Sequence, residues 1–416
     1  GRGVAPFGQV PPEGPGGDPP PPGPTPFEQL FPQPTGQNGY EELVLAGMAV
    51  REAEKRTGFP YGRQPTLTER RAYLNEPEVR RGMALLRQGL AKPIRSPHEN
   101  ANFATLFPDF ALLRGLARAL GVEQYVLLAD GKTPAAVDVL ADGLRLSRSI
   151  SGTFVIGALV GASIQAIVLT QIADHVAQLS VRDCRRLEVI LRQFLEAPDP
   201  LLDSLEQERR TSIQAISEML RGKFDVVEAG LFATDDDGNL EPEALEMMRE
   251  VERLKADPNA ISALTAQVTA RINSAVDEAI AWYRDPSSVV PRAAAPPGSL
   301  ADQIAATVSP LYGSVSRRFT ETRIRLQMVG VHAAIRRYQW EYDRLPTNLD
   351  ELRLAGLEID PYTRKPFAYR VLTRATYELA SAGPYKLDGN GNYLPGQREA
   401  IIYPKPPEPT AAQPSG

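Results

Sequence analysis

The sequence predicts a mainly α protein: a body of helical hairpins followed by a small α+β module near the C-terminus. Three observations carry this reading. Apolar residues recur at helical spacing through most of residues 40–283. Proline-rich stretches bracket that region. Aromatic and β-branched residues roughly alternate only after residue 366. A chain of 416 residues, 42% of them hydrophobic, is long enough for a sizeable core and more than one domain. The expected division is a Pro/Gly-rich linker at 1–38, a helical domain at 39–286, a Pro/Ala-rich linker at 287–300, the α+β module at 301–403, and a tail at 404–416.

Composition narrows the functional classes. The 46 basic and 51 acidic residues leave a net charge of -5, which implies no basic face and argues against nucleic acid as a partner. One cysteine, Cys184, excludes an internal disulfide and a cysteine-rich metal site. The sequence begins at Gly1 rather than methionine, which fits a trimmed chain and a removed N-terminal segment alike; under the second reading a signal peptide or anchor upstream of Gly1 would supply membrane association.

Residues 1–38 alternate proline with glycine; proline removes backbone donors and few apolar groups remain to bury, so a spacer or tether is expected. The first helix, 40–56, follows Leu43, Ala46, Val50 and Ala53 and stops at Gly58 and Pro60. Short helices follow at 68–74, with Thr68 as its N-cap, and at 77–90. A helical hairpin spans 109–150. Its turn, Asp130-Gly131-Lys132-Thr133-Pro134, offers Gly131 as a left-handed C-cap, Thr133 as an N-cap and Pro134 at the first helical position. The hairpin resembles a single tetratricopeptide-type unit, but no second copy appears at a fixed period.

Residues 153–170 carry no charge and contain Gly157 and Gly161 at GxxxG spacing. A membrane span and a buried core helix both fit that run; its alanines, Ser163 and Gln165 dilute the apolarity and favour the core helix. Amphipathic helices are expected at 182–196, 201–221, 243–255 and 259–283, the last on the stripe Ile261, Leu264, Val268, Ile272, Val276, Ile280 and Tyr283.

Few residues name a chemistry. His98, His175 and His332 sit in no paired ligand spacing and read as packing or surface residues. Cys184 has cationic neighbours but no base at a recognisable spacing and reads as a simple thiol. Two acidic loops resemble calcium loops, whose ligands come from a tight turn at fixed positions. The first, 235–246, has Leu240 where glycine is required, and an acidic helix start explains it as well. The second places Asp388, Asn390, Asn392 and Glu399 at ligand positions, with Tyr393 in the glycine position; an Asn-Gly turn accounts for it equally.

From 317 to 399 the chain has a legible order. A stripe of Ile324, Met328, Val331, Ile335, Tyr338 and Tyr342 marks a long helix ending in Ala334-Ile335-Arg336-Arg337-Tyr338. Leu345-Pro346-Thr347-Asn348-Leu349-Asp350-Glu351-Leu352 follows, where Thr347 and Asp350 fit a capping box and Leu349 and Leu352 would dock a short helix onto the stripe. Next come Asp360-Pro361-Tyr362, Pro366-Phe367-Ala368-Tyr369, Tyr377-Glu378-Leu379 and Ser381-Ala382-Gly383-Pro384, with Phe367, Tyr369, Val371, Tyr377 and Leu379 suited to a two- or three-stranded antiparallel sheet.

In order and spacing these pieces resemble the globular part of the type II secretion major pseudopilin. The resemblance implies that calcium binds at Asp388, Asn390 and Asn392, and Glu399 joins this expected set by its position-12 spacing in the loop. Two features depart from the family. Residues 301–316 are polar and carry Pro310 and Gly313 where the family has an apolar membrane helix, and Arg318-Phe319-Thr320-Glu321 lacks the glycine of a prepilin cleavage site. The expected function is therefore an extracytoplasmic structural or interaction protein, at the periplasm or cell surface, with protein partners and not itself a pilus subunit. The alternative is a helical enzyme or ligand-binding domain whose polar site residues are dispersed along the chain.

Overall fold

The computed structural model describes residues 23–99, 107–152, 154–222, 242–288, 298–307, 310–388 and 393–404, which form a mainly helical protein with a small strand region near the C-terminus. The first turn of structure falls inside the expected N-terminal linker. Helix α1 (Pro26–Leu30) is started by a capping box between Thr25 and Glu28, with proline at its first position, where a missing donor costs nothing. Phe27, Leu30 and Phe31 pack on the core beside Tyr40. Residues 23–38 thus belong to the fold; the proline content masked the Thr-x-x-Glu start signal.

Helices α2 (Gly39–Thr57), α3 (Leu67–Asn75) and α4 (Pro77–Leu90) follow, and the predicted stripe Leu43, Ala46, Val50 and Ala53 is fully buried. The α3 cap is Thr66 rather than Thr68, because Thr66 is the residue that stands three before Glu69 and shares the reciprocal cap with it. The hairpin is α5 (Pro108–Ala129) and α6 (Thr133–Ile150), joined through Gly131 at φ 70° as expected of a left-handed turn residue. Thr133 is the first helical residue and not the cap; its hydroxyl donates instead to Asp183 Oδ2, 2.7 Å away at the start of a later helix.

The uncharged run forms α7 (Val155–Ala173). It is the one helix among the described residues long and apolar enough to cross a membrane by length and composition. In this fold it is flanked by α5, α6 and later helices, and Ala158, Ile164, Val168 and Ile172 are fully buried. After a 3-10 turn (Val176–Gln178) come α8 (Val181–Glu196), α9 (Pro200–Leu220), α10 (Pro242–Leu254) and α11 (Pro258–Arg284). The α11 stripe buries Leu264, Val268, Ile272, Val276, Ile280 and Tyr283 as predicted, while Ile261 at its start is half-buried. The first calcium-like loop, 235–246, lies outside the described residues up to residue 241, and Glu246 sits on α10.

Helix α12 (Leu300–Ala306) leads to the long helix α13 (Pro310–Tyr342). Three apolar clusters fill the described structure, and α13 contributes to each. Tyr312, Val315 and Phe319 join the cluster of α9 to α12; Leu326, Val329 and Ala333 join the cluster of α2 to α8. Ile324, Met328, Val331, Ala334, Ile335 and Tyr338 support the C-terminal region. That region consists of a 3-10 turn (Leu349–Leu352) and two antiparallel hairpins, β1 (Ala368–Val371) with β2 (Tyr377–Ala380) and β3 (Tyr385–Leu387) with β4 (Tyr393–Arg398). The strands therefore make two separate two-stranded sheets instead of one. Leu349 and Leu352 dock on the α13 stripe as expected, while Tyr342 is exposed past its end.

Gly161 of the GxxxG pair serves helix packing inside the fold. A methyl group added at Gly161 would run into Ser151 Oγ and come within 2.9 Å of the Ser147 carbonyl, so the close approach of α7 to the end of α6 requires glycine there. Gly161→Ala should lower unfolding stability by about 1–3 kcal/mol in urea denaturation; an unchanged midpoint would contradict the crossing.

Candidate functional site

The segments singled out after residue 317 interlock through one buried carboxylate. Asp360 Oδ2 accepts from Ser381 Oγ at 3.0 Å and from the Ala382 amide at 2.7 Å, and its Oδ1 accepts from the Tyr362 amide at 2.9 Å. The Asp-Pro-Tyr turn is thereby fastened to the Ser-x-Gly-Pro segment. Gly383, at φ 69°, lies against the Glu399 carbonyl with no room for a side chain. The short turn is capped by Asn348, whose side chain accepts from the Asp350 amide, and not by Thr347. Glu351 instead accepts from the Thr347 amide, from Arg344 and from the Tyr338 hydroxyl, and these donors hold its carboxyl down at about 2.

A groove of about 910 Å³ opens where this region meets the body. Its floor is α13, which presents His332, Arg336 and Gln339 at i, i+4 and i+7, on one helical face. One wall is the end of α7 and the following turn, with Ala173, Val176 and Ala177; the other is the β1–β2 hairpin from Leu372 to Leu379, with Ile402 and Pro404 closing one side. Leu372 and Ile402 are 53% and 40% exposed, an apolar rim turned to solvent.

His332 fastens the groove. Nε2 lies 2.8 Å from the Tyr403 carbonyl, which can only accept, so Nε2 carries the proton; Nδ1 then accepts from the Tyr377 hydroxyl at 2.6 Å. Burial pushes its pKa down to about 4, against the bond to the Tyr403 carbonyl, so the ring is neutral at physiological pH. Arg336 stacks 4.5 Å from the Trp340 ring centroid, and its buried Nε bonds no acceptor. The carboxylates on this side are engaged elsewhere: Glu188 at 2.8 Å and Glu341 at 3.1 Å by Arg337, and Glu341 also by Arg185 at 2.8 Å. Cys184, the simple thiol of the sequence reading, is buried, and burial pushes it up to about 12.

Of the predicted calcium ligands, the two among the described residues, Asp388 and Glu399, stand at opposite ends of the second hairpin. Asp388 follows β3 at the tip of the second hairpin, and Asn390 and Asn392 lie outside the described residues. Glu399 sits past the far end of β4, its amide donating to the Pro384 carbonyl at 2.8 Å. Four residues of extended chain separate Pro384 from Asp388, on the order of 13 Å at the usual rise per residue. The Glu399 carboxylate turns instead to Arg317 at 3.3 Å. Glu399 is therefore no ligand of that loop; spacing counted along the chain missed that the hairpin folds back. Among the described residues no group of three or more His, Cys, Asp or Glu side chains could hold a metal ion.

His98 is part of a second polar cluster. Its Nε2 lies 3.0 Å from both Asp109 carboxylate oxygens, and Tyr40 donates to Asp109 Oδ2 at 2.5 Å. All three are buried, with Phe107 and Phe110 against the imidazole edge. The cluster ties the chain before α5 to α2, the packing role expected of His98.

No protein-family model matches the chain, and comparison with curated proteins and with solved structures gives no significant match in either. The groove residues Arg336, Leu372 and Ile402 escaped sequence reasoning. The only local signal was the Arg336–Trp340 spacing of four on a helix, since the hairpin wall is brought in from far along the chain.

The His332 geometry fixes a pH dependence. The unfolded chain takes up a proton near 6.5 and the folded one only near 4. Its contribution is therefore complete above about pH 6.5 and fades as pH falls toward 4. Wild type should lose about 2 kcal/mol more than His332→Gln between pH 7 and 4.5 in urea denaturation; parallel profiles would contradict a buried neutral ring.

Proposed function

We propose that this chain is an extracytoplasmic structural or interaction protein, in which a module resembling the type II secretion pseudopilin is built into a helical body and does not assemble into a filament. One observation carries the reading. The long helix α13 is buried along most of its length by α7, α8, α11 and the C-terminal hairpins. A helix covered on its apolar faces has none left to offer a second copy of the chain. The interlock of the Asp-Pro-Tyr and Ser-x-Gly-Pro segments through Asp360 supports a common origin for the module. The open groove beside it supports a binding role. The His98–Asp109 pair, the natural candidate under the enzyme alternative, is sealed by aromatic rings among the described residues and favours the interaction reading.

Calcium belongs to the reading in a reduced form, drawing on Asp388, Asn390 and Asn392 without Glu399. Sedimentation velocity and thermal melts, each with and without millimolar calcium, test both parts. The protein should stay at one small sedimentation coefficient across concentrations, and calcium should raise Tm in wild type and Glu399→Gln but not in Asp388→Ala. Filaments would overturn the structural reading, and a melt indifferent to calcium would remove the ion from it.

A further inference from the structure

We infer that a cavity between α6, α7, α11 and α13 binds a small organic acid, a single carboxylate on a short apolar body. The inference goes beyond the interaction reading and stands without it. The cavity, of about 160 Å³, lies where the cluster of α2 to α8 meets the cluster of α9 to α12. Junctions of that kind are where ligand pockets form. Arg148 near the end of α6, Gln165 on α7, Tyr283 on α11 and Arg323 on α13 line it, and the turn from α8 into α9 brings Asp199. The polar groups here do not satisfy one another. Gln165 is 8% exposed and opens on the cavity, and its side-chain amide makes no hydrogen bond among the described residues. Native structures rarely leave a buried amide without partners, because the lost water contacts are not repaid.

Charge names the ligand. Arg148 lies 4.7 Å from the Phe194 ring centroid and donates Nη2 to the Phe194 carbonyl at 2.8 Å, and it has no ion-pair partner among the described residues. Arg323 is exposed at the solvent side of the cavity and has no ion-pair partner among the described residues either. Asp199 is the carboxylate of the lining, and both its oxygens are engaged. Oδ1 accepts from the Leu201 amide at 2.9 Å, capping α9, and Oδ2 accepts from the Tyr283 hydroxyl. Two guanidiniums against one carboxylate leave one positive charge and donors without acceptors. The charges of the neighbouring cavity that shares Arg323, Arg192 and Glu196, cancel. A monoanion matches the remainder, and a carboxylate matches it in shape, since it meets a planar guanidinium through paired hydrogen bonds. The rest of the lining, with Phe194, Leu195, Pro200, Phe319 and Leu326, is apolar and suits a short hydrocarbon body. Inorganic phosphate would leave that part unfilled.

The probes are acetate, butyrate, hexanoate and benzoate, each beside its primary amide, with inorganic phosphate as the control for charge alone. At least one acid with an apolar body should raise the Tm of the wild-type protein, while its amide, acetate and phosphate should not. Saturation-transfer NMR on wild type supplies a readout independent of any variant: the hydrocarbon protons of that acid should receive saturation, and those of its amide should not. Arg323→Gln, at an exposed position, should weaken the acid about tenfold, with part of the affinity returning in Arg323→Lys. Arg148→Gln should weaken it by at least as much, and Arg323→Gln keeps the test decisive if loss of the Phe194 contact unfolds that variant. Three results would overturn the inference: no acid bound in preference to its amide, phosphate bound as tightly as the acids (an adventitious ion only), or an affinity unchanged in Arg323→Gln.

Discussion

The fold depends on one helix being shared by three cores. Along α13, Tyr312 to Phe319 complete the cluster of α9 to α12, Leu326 to Ala333 complete the cluster of α2 to α8, and Ile324 to Tyr338 carry the C-terminal hairpins. Each buried Leu, Ile, Val or Met contributes about 1.5–3 kcal/mol when removed from water. Such contributions act on all three regions through a single rigid element. Gly330 marks how closely the parts approach, since a methyl group there would come within 2.6 Å of Leu357 on the C-terminal side.

Polar contacts fix the registration that apolar packing leaves free. Gln327 on α13 donates to the Leu357 and Ile359 carbonyls at 3.3 and 3.1 Å, Trp340 donates to the Leu179 carbonyl at 3.1 Å, and the Arg337–Glu188 pair, both largely buried, ties α13 to α8. An ion pair so placed adds little net stability, but removal of either partner strands a charge in a dry site. The hairpin wall of the groove is held to its α13 floor by His332, through the Tyr377 hydroxyl and the Tyr403 carbonyl.

Much of the helical architecture was legible because burial along a helix repeats every 3.6 residues and leaves its trace in sequence; the α11 stripe is the clearest instance. Local starts were less legible. Thr66 and Thr68 both precede an apolar run, and only the reach of Glu69 decides between them. Helix α1 was hidden by surrounding prolines, although its Thr25–Glu28 box was present. Contacts between distant segments left no periodic trace at all. Asp360 could be flagged with its Pro-Tyr neighbours, but not joined to Ser381. Glu399 could be counted into a ligand set, but not seen at the opposite end of a hairpin from Asp388. The groove is legible only in three dimensions, since its floor and walls come from α13, α7 and β2.

If α13 couples the clusters, the helical body and the strand region must unfold together, although separate transitions are common in chains of this length. The two tryptophans allow a direct test, with Trp282 on α11 reporting the body and Trp340 near the end of α13 reporting the C-terminal side. Urea unfolding followed by fluorescence in Trp340→Phe and Trp282→Phe should give coincident midpoints, and adding Met328→Ala should lower both by the same amount. Two separated midpoints, or a Met328→Ala shift confined to the Trp340 signal, would contradict the account.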